Sequence, residues 1–441
     1  MHRQLIVAIR FSSRYFAGNN EIKQFIIIFA GEKLLCKPFP THDRDIRKLT
    51  NTEKMACIST RIPFEFNART LHSQDLERDL VEKHMRLCLS VNPGFESAIT
   101  IAPSEPILAE AAYRLMRNPA FDFPRCLLAE LEHPGLDKGT RGEFIVMVLC
   151  LAARDQAANQ HFPNPVISVA EFIKELINPS FHNEVFDSKP IRARTSDEAN
   201  RTFEATFRDS KMYFNHFIKL RDRRVIKREY LWRLIVRGAA GICVDCQDGI
   251  DIIIPFLYRD DTLQSNDVSA LFIQSKNDPS FRDKPRRSLF DMMNPFKVSF
   301  FDKSEDKTAL VPIIRIVFAL ASSTPSVVAL NPAKRTQPPR SAAYKAEFQK
   351  DKYTAFDLWC ASASQYTFKP IEDDGVFKQL LLQSRVFPEV YTSKGSKSIE
   401  EATRSMNPGT DSRDTAHWDR FIQLEGSTES NPDSDSESDS E

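Results

Sequence analysis

Apolar positions recur at helical spacing through much of the first half of the chain. Ser73 is placed to cap LVEKHMRLCL, where Leu76, Leu80, Val81, His84, Leu87 and Cys88 share one face. Ser104, followed by Glu105 and Pro106, opens PILAEAAYRLM. Thr140 and Glu143 form a capping-box pattern ahead of FIVMVLCLAARDQA, which is apolar on most faces and is therefore expected at the centre of the fold. ISVAEFIKELIN (167–178) is a further amphipathic helix. Residues 1–55 lack a clear period and read as peripheral, with the ordered chain beginning near Met55. The polar stretch SKPIRARTSDEAN (188–200) reads as a linker or exposed loop.

Beyond it the period changes. MYFNHFIK (212–219) alternates as a strand does, and VIKREYLWRLIVRGA (225–239) is helical. DIIIPFL (251–257), VSALFIQSK (268–276) and VPIIRIVFALA (311–321) are continuous apolar runs of strand length. PAKRTQPPRS (332–341) is a Pro-rich basic loop, and YTAFDLWCASAS (353–364) is again folded in character. The pattern predicts an α/β (α+β) fold: a poorly defined segment over 1–55, a mostly helical region over 56–190, and a mixed sheet flanked by helices over 205–370. A disordered acidic tail over 394–441 completes it.

Composition adds limits. With 441 residues, 41% hydrophobic and 27% charged, the chain is an ordinary globular one of two or three domains' length. Its 60 basic and 60 acidic residues cancel, but seven of the acids lie in 425–441 with no base. Setting those seven aside leaves the rest at +7. Ser434, Ser436 and Ser438 each precede an acid by three residues, an acidophilic kinase pattern. No apolar run is long enough to span a membrane. The first fourteen residues carry Arg3, Arg10 and Arg14 without an acid, loosely like a mitochondrial presequence, and no secretory signal is recognisable. An intracellular protein of nucleus or cytoplasm is expected. Cys243 and Cys246 form a lone CVDC pair without a second pair, so zinc is not expected. No GxxxxGK[ST] occurs, so no nucleotide is expected either.

The chemistry concentrates in residues 229–278. They comprise a helix bearing Glu229, a Gly-containing turn, a strand opening at Asp251, a polar loop and a strand ending in Gln274-Ser275-Lys276. Gln274 and Lys276 are two residues apart and leave one face of their strand, and Asp251 can meet them across a hairpin. Carboxylate and carboxamide oxygens suit Mg2+ or Mn2+, which prefer hard oxygen ligands, and an ammonium can stabilise charge developing on a phosphate. The arrangement resembles the PD-(D/E)XK restriction-endonuclease-like superfamily over roughly 205–320. More broadly, LVEKHMRLCLS, SEPILAEAA, RGEFIVMVL, RGAAGIC, GIDIIIP and IQSKND are similar to fungal proteins related to Crinkler-type effectors. The resemblance implies a nuclease-like module behind a helical region, with Asp251, Glu229 and Gln274 as metal ligands and Lys276 completing the catalytic set. Gln274 departs from the pattern, since a neutral carboxamide binds a cation more weakly than a carboxylate.

Nine bases against Asp222 and Glu229 fall between Lys211 and Arg237, and Arg282, Lys284, Arg286 and Arg287 follow Lys276. Arg221, Arg223, Arg224, Lys227, Arg228, Arg286 and Arg287 are the expected contacts to a nucleic-acid backbone, DNA ahead of RNA. Two alternatives stay open: a catalytically inactive nucleic-acid-binding descendant of the fold, and an effector or protein-interaction scaffold. His216, in FNHF, is expected to be a hydrogen-bonded strand residue rather than a general base. The sequence sets no oligomeric state.

Overall fold

The computed structural model describes residues 20–63, 71–91, 98–131, 138–161, 165–244, 247–259, 264–302, 310–332 and 352–382. The expected tail over 394–441, the Pro-rich loop from 333 on and Cys246 lie outside the described residues. Helices of eight residues or more are α1 (Asn20–Leu35), α2 (Asn51–Arg61), α3 (Leu71–Lys83), α4 (Pro106–Met116), α5 (Phe123–Leu131), α6 (Lys138–Asn159), α7 (Val169–Leu176), α8 (Arg228–Arg237) and α9 (Asp374–Leu381). The strands are β1 (Leu87–Val91), β2 (Ala98–Ile101), β3 (His216–Lys219), β4 (Ala239–Ile242), β5 (Ile252–Leu257), β6 (Val268–Lys276), β7 (Ile313–Ala319), β8 (Ser326–Ala329) and β9 (Ala355–Ala361).

β1 and β2 form a small antiparallel pair, and the other seven strands make one mixed sheet in the order β3-β4-β5-β6-β7-β9-β8. β4, β5 and β6 are an antiparallel meander, and β6, β7 and β9 run parallel. The α/β expectation is met. Every residue of β5, β7 and β9 is buried, which explains why these strands read as unbroken apolar runs rather than alternating ones. Burial of each isoleucine of the 252–254 run contributes about 1.5–3 kcal/mol. Pro255 is tolerated inside β5 because β4 pairs with β5 only at Ile252 and Ile253, leaving no ladder bond on that side to lose.

Helices cover both faces. Ser275, Phe318 and Cys360 share one row of the sheet, and α6 lies on that face, its Gly142 packed against Ser275 Oγ. Gln274, Val317 and Trp359 share the next row and point the other way, towards residues 281–302. There Phe272 meets Phe300 at 5.1 Å between ring centroids, and the Trp359 indole N–H donates to Arg282 O at 2.9 Å. Arg315 and Asp357 form a buried bidentate pair on this face at 2.7 and 2.8 Å.

Several expectations need correction. Residues 20–62 are not peripheral: Ile27, Leu34, Leu35, Met55 and Ile58 are fully or almost fully buried in the same core as the sheet. The described residues between 20 and 382 fall in one compact unit, so the helical region and the sheet are not separate bodies. Leu87 and Cys88 belong to β1 and not to the preceding helix, which stops at Lys83. α4 begins at Pro106 with Glu105 as its N-cap, not Ser104. α6 begins at Lys138, which puts Thr140 inside the helix and removes it as a cap. The central position expected for this helix is confirmed by the burial of residues 144–151.

Candidate active site

β5 and β6 become polar at the same end of the sheet. Their register pairs Ile252 with Ile273, and one further step sets Asp251 opposite Gln274. The Asp251 Oδ2 accepts a hydrogen bond from the Ser275 backbone N–H at 2.7 Å, so the carboxylate is held at the end of β5 beside the Gln274-Ser275-Lys276 segment. Burial pushes the Asp251 carboxyl above the usual carboxylate range, while the Ser275 N–H and the Lys276 charge oppose the rise. Asp251 is thus held against the Ser275 backbone and feels the Lys276 charge, with Gln274 one residue away along the strand.

Gln274 is 4% exposed, and its Oε1 has no hydrogen-bond partner. A buried carbonyl oxygen left without a donor costs about 1–3 kcal/mol, so this acceptor calls for an electropositive partner. A hard divalent cation is one such partner, and the oxygen donors present fit it. Lys276 Nζ and the Arg286 guanidinium both lie over the Phe281 ring, at 6.0 and 4.2 Å from its centroid. Two cations are therefore gathered at the mouth of the site.

The helix carboxylate expected from the sequence is not where Asp251 needs it. Glu229 is exposed in the first turn of α8. The neighbouring Arg228 is tied to the opening of β6 through Val268 O, at 3.1 Å, and Asn266 O. Val268 lies six residues before Gln274, roughly 20 Å along the strand. Glu229 and Asp251 are not brought to one metal shell. Among the described residues no three His, Cys, Asp or Glu side chains are grouped in a way that holds a metal ion.

A different helix approaches the site. Gly142, in the first turns of α6, is so close to β6 that a Cβ there would stand 2.7 Å from Ser275 Oγ and 3.0 Å from Asn277 Cβ. Glu143 follows it. Burial raises the Cys243 thiol, and the charges of Asp251 and Glu143 raise it further, while the Cys243 N–H donates to Asp251 O at 2.8 Å. Sequence reasoning missed this approach. The available signal was a glycine inside an apolar helix, which costs about 1 kcal/mol against alanine and so asks for a packing reason.

The basic residues divide. Leu220 N–H donates to Ile242 O, so the segment carrying Arg221, Arg223 and Arg224 leaves β3 at the Asp251 end of the sheet, two strands from β5. Arg221 and Arg223 are exposed there, and Arg224 is exposed but paired with Asp222 at 2.5 Å. Lys227 is half-buried. Arg228 must be withdrawn as a phosphate contact, because it is 4% exposed and its guanidinium is spent on two backbone carbonyls. Arg286 and Arg287 are exposed beyond Lys276.

His216 behaves as a structural residue. Its Nδ1 bonds Asn215 Oδ1 and its Nε2 bonds Ser104 Oγ, each at 2.8 Å. Burial, with the nearby Arg237 and Arg61 charges, pushes its pKa down to about 3. An imidazole that resists protonation this strongly is a poor general base near neutrality.

No helix of the described residues is long and apolar enough to cross a membrane. Neither a curated protein nor a solved structure matches the chain. The family described as Domain of unknown function (DUF8736) matches residues 50–309. That span takes in Gly142, Glu143, Asp251, Gln274 and Lys276 and ends before β7. It covers more than half of the chain, and the protein belongs to the DUF8736 family.

Proposed function

We propose that the polar end of β5 and β6 is a divalent-metal-dependent site for hydrolysis of nucleic-acid phosphodiesters, in DNA ahead of RNA, with Mg2+ or Mn2+ as cofactor. The observation that carries the reading is the buried Asp251 carboxylate, fixed by the Ser275 N–H between Gln274, whose buried Oε1 has no partner, and Lys276, whose charge it feels. The resemblance of this segment to the PD-(D/E)XK superfamily, carried by the same residues, and of the chain to Crinkler-type proteins, points to the same reading. Such a substrate fits a protein of the nucleus or cytoplasm.

Asp251 and Gln274 would hold the cation through oxygen. When bound, the cation supplies Lewis acidity towards a phosphate oxygen and lowers the pKa of attacking water. Lys276 neutralises negative charge developing on the phosphate in the transition state. Arg286, stacked on Phe281 beside Lys276, with Arg287, Arg221 and Arg223, holds the flanking backbone. The neutral side chain at Gln274 favours a second reading, a binding-only descendant of the fold.

Labelled single- and double-stranded DNA and RNA, incubated with the full chain, test the reading. Cleavage is expected with Mg2+, abolished by EDTA and restored by Mn2+. Lys276→Ala should lower the rate by about 10²–10³-fold without loss of metal affinity. Salt-sensitive binding without cleavage selects the second reading. Absence of both leaves only a protein scaffold.

A further inference from the structure

We infer that the Arg286 guanidinium, laid over the Phe281 ring, is a stacking platform for an unpaired nucleobase beside Lys276, so that the substrate is a single strand or an unpaired stretch of duplex. The inference rests on the nucleic-acid reading of the Asp251 end of the sheet, and names the substrate class which that end accepts.

The platform is built from the segment that follows β6. Ser280 N–H donates to Asp278 Oδ1 at 2.8 Å and Phe281 N–H to Asp278 O at 3.0 Å, which closes a tight turn shortly after Lys276. On the other side of Phe281, the Arg282 carbonyl accepts the Trp359 indole N–H at 2.9 Å and ties the segment to the buried β9. Phe281 is held between these two anchors, half-buried against the core. The Arg286 Cζ stands 4.2 Å from the ring centroid, close enough for the flat group to rest on the ring. The same guanidinium donates to Ser280 O, which fixes it in plane. Arg286 is nevertheless exposed, so one face of the group lies on the ring and the other is open to solvent.

A phosphate alone does not call for this construction. It is held along the edge of a guanidinium, by the N–H groups, and a mobile surface lysine or arginine neutralises it as well. A planar cation fixed flat on an aromatic ring offers its open face, and a nucleobase is the nucleic-acid group that stacks on such a face. Lys276 Nζ lies 6.0 Å from the same ring centroid, so a base on the platform rests next to the ammonium assigned to the phosphate. In a regular duplex the bases are stacked on one another, and only an unpaired base reaches the platform. Free strands, frayed ends and underwound duplex meet that condition. Because ring and guanidinium are already fixed, stacking on them costs little further side-chain ordering.

Fluorescence anisotropy of the full chain at low salt in EDTA, which prevents cleavage, tests the inference. The probes are a labelled single strand of about ten thymidylates and an abasic tetrahydrofuran strand of equal length. The two carry the same phosphates and differ only in the bases. Wild type should bind the thymidylate strand at least about fivefold more tightly. Arg286→Lys keeps the charge and loses the plane, and should bring the two affinities level. Phe281→Leu should do the same, but Phe281 is packed against the core, so the exposed Arg286→Lys decides. Equal wild-type affinity for both strands, or a preference retained in Arg286→Lys, would overturn the platform and leave the nucleic-acid reading standing. Failure to bind either strand would overturn that reading, and the platform with it.

Discussion

Burial raises the Asp251 carboxyl even though the Ser275 N–H and the Lys276 charge favour its ionised form. Its folded pKa therefore lies above the unfolded value of 3.8, and the folded state binds the proton more tightly. Stability contributed by the protonated carboxyl is present below that value and is lost as pH rises through the raised one. Asp251→Asn keeps an acceptor for Ser275 N–H and removes the charge. It should raise the melting temperature at about pH 8 and change it little near pH 4, as thermal denaturation across that range will show. A lower melting temperature at pH 8 would contradict the burial argument. Gln274→Glu has the opposite sense. It sets a second carboxylate beside Asp251, where like charges repel, so metal-free protein should melt earlier. Added Mg2+ should then raise its melting temperature more than it raises that of the wild type. An equal or smaller rise would mean that position 274 does not face the cation.

At the level of elements, the approach of α6 to β6 depends on Gly142, and the loop before β5 depends on Gly249. Gly249 has φ of 91°, and a Cβ there would stand 2.5 Å from Met292 O, a backbone atom that cannot swing aside. Gly142→Val should destabilise by about 1–3 kcal/mol through overpacking, and should weaken Mn2+ binding by shifting Ser275, whose N–H fixes Asp251. Loss of stability with unchanged Mn2+ binding would separate the helix contact from the site. The strands were legible where burial on both faces writes a continuous apolar run, as in β5, β6 and β7. The β1–β2 pair was not, because the helical period of LVEKHMRLCL runs on past the true end of α3. The chain turns there at Met85, with φ of 61°, a conformation that apolar periodicity does not encode. The antiparallel juxtaposition of Asp251 with Gln274 and Lys276 was legible because both strands are close in sequence. The approach of Gly142 was not, since it depends on a helix more than one hundred residues upstream lying on one end of β6.

Over the whole molecule, the helices before the sheet are tied to it by a buried ion pair. Arg61, fully buried on α2, forms a bidentate bond to Asp155 of α6 at 2.7 and 2.8 Å, and donates to Asn215 O just before β3 at 2.8 Å. Removal of Arg61 leaves the buried Asp155 to its Arg154 partner, at 3.1 Å, and takes a donor from Asn215 O, so Arg61→Ala should cost about 3 kcal/mol by denaturant unfolding. A loss below about 1 kcal/mol would show that solvent reaches the pair. With one core running from α1 to α9, a fragment of 205–382 is not expected to fold, and the site is not separable from the helices that precede it. The central claim is that Asp251 serves chemistry at the expense of stability. Side-by-side rates of Mg2+-dependent cleavage of supercoiled DNA by wild type and Asp251→Asn test it most directly, because the variant is expected to be the more stable protein. The account predicts cleavage by the wild type and none above background by Asp251→Asn. Equal cleavage by the two proteins would contradict it.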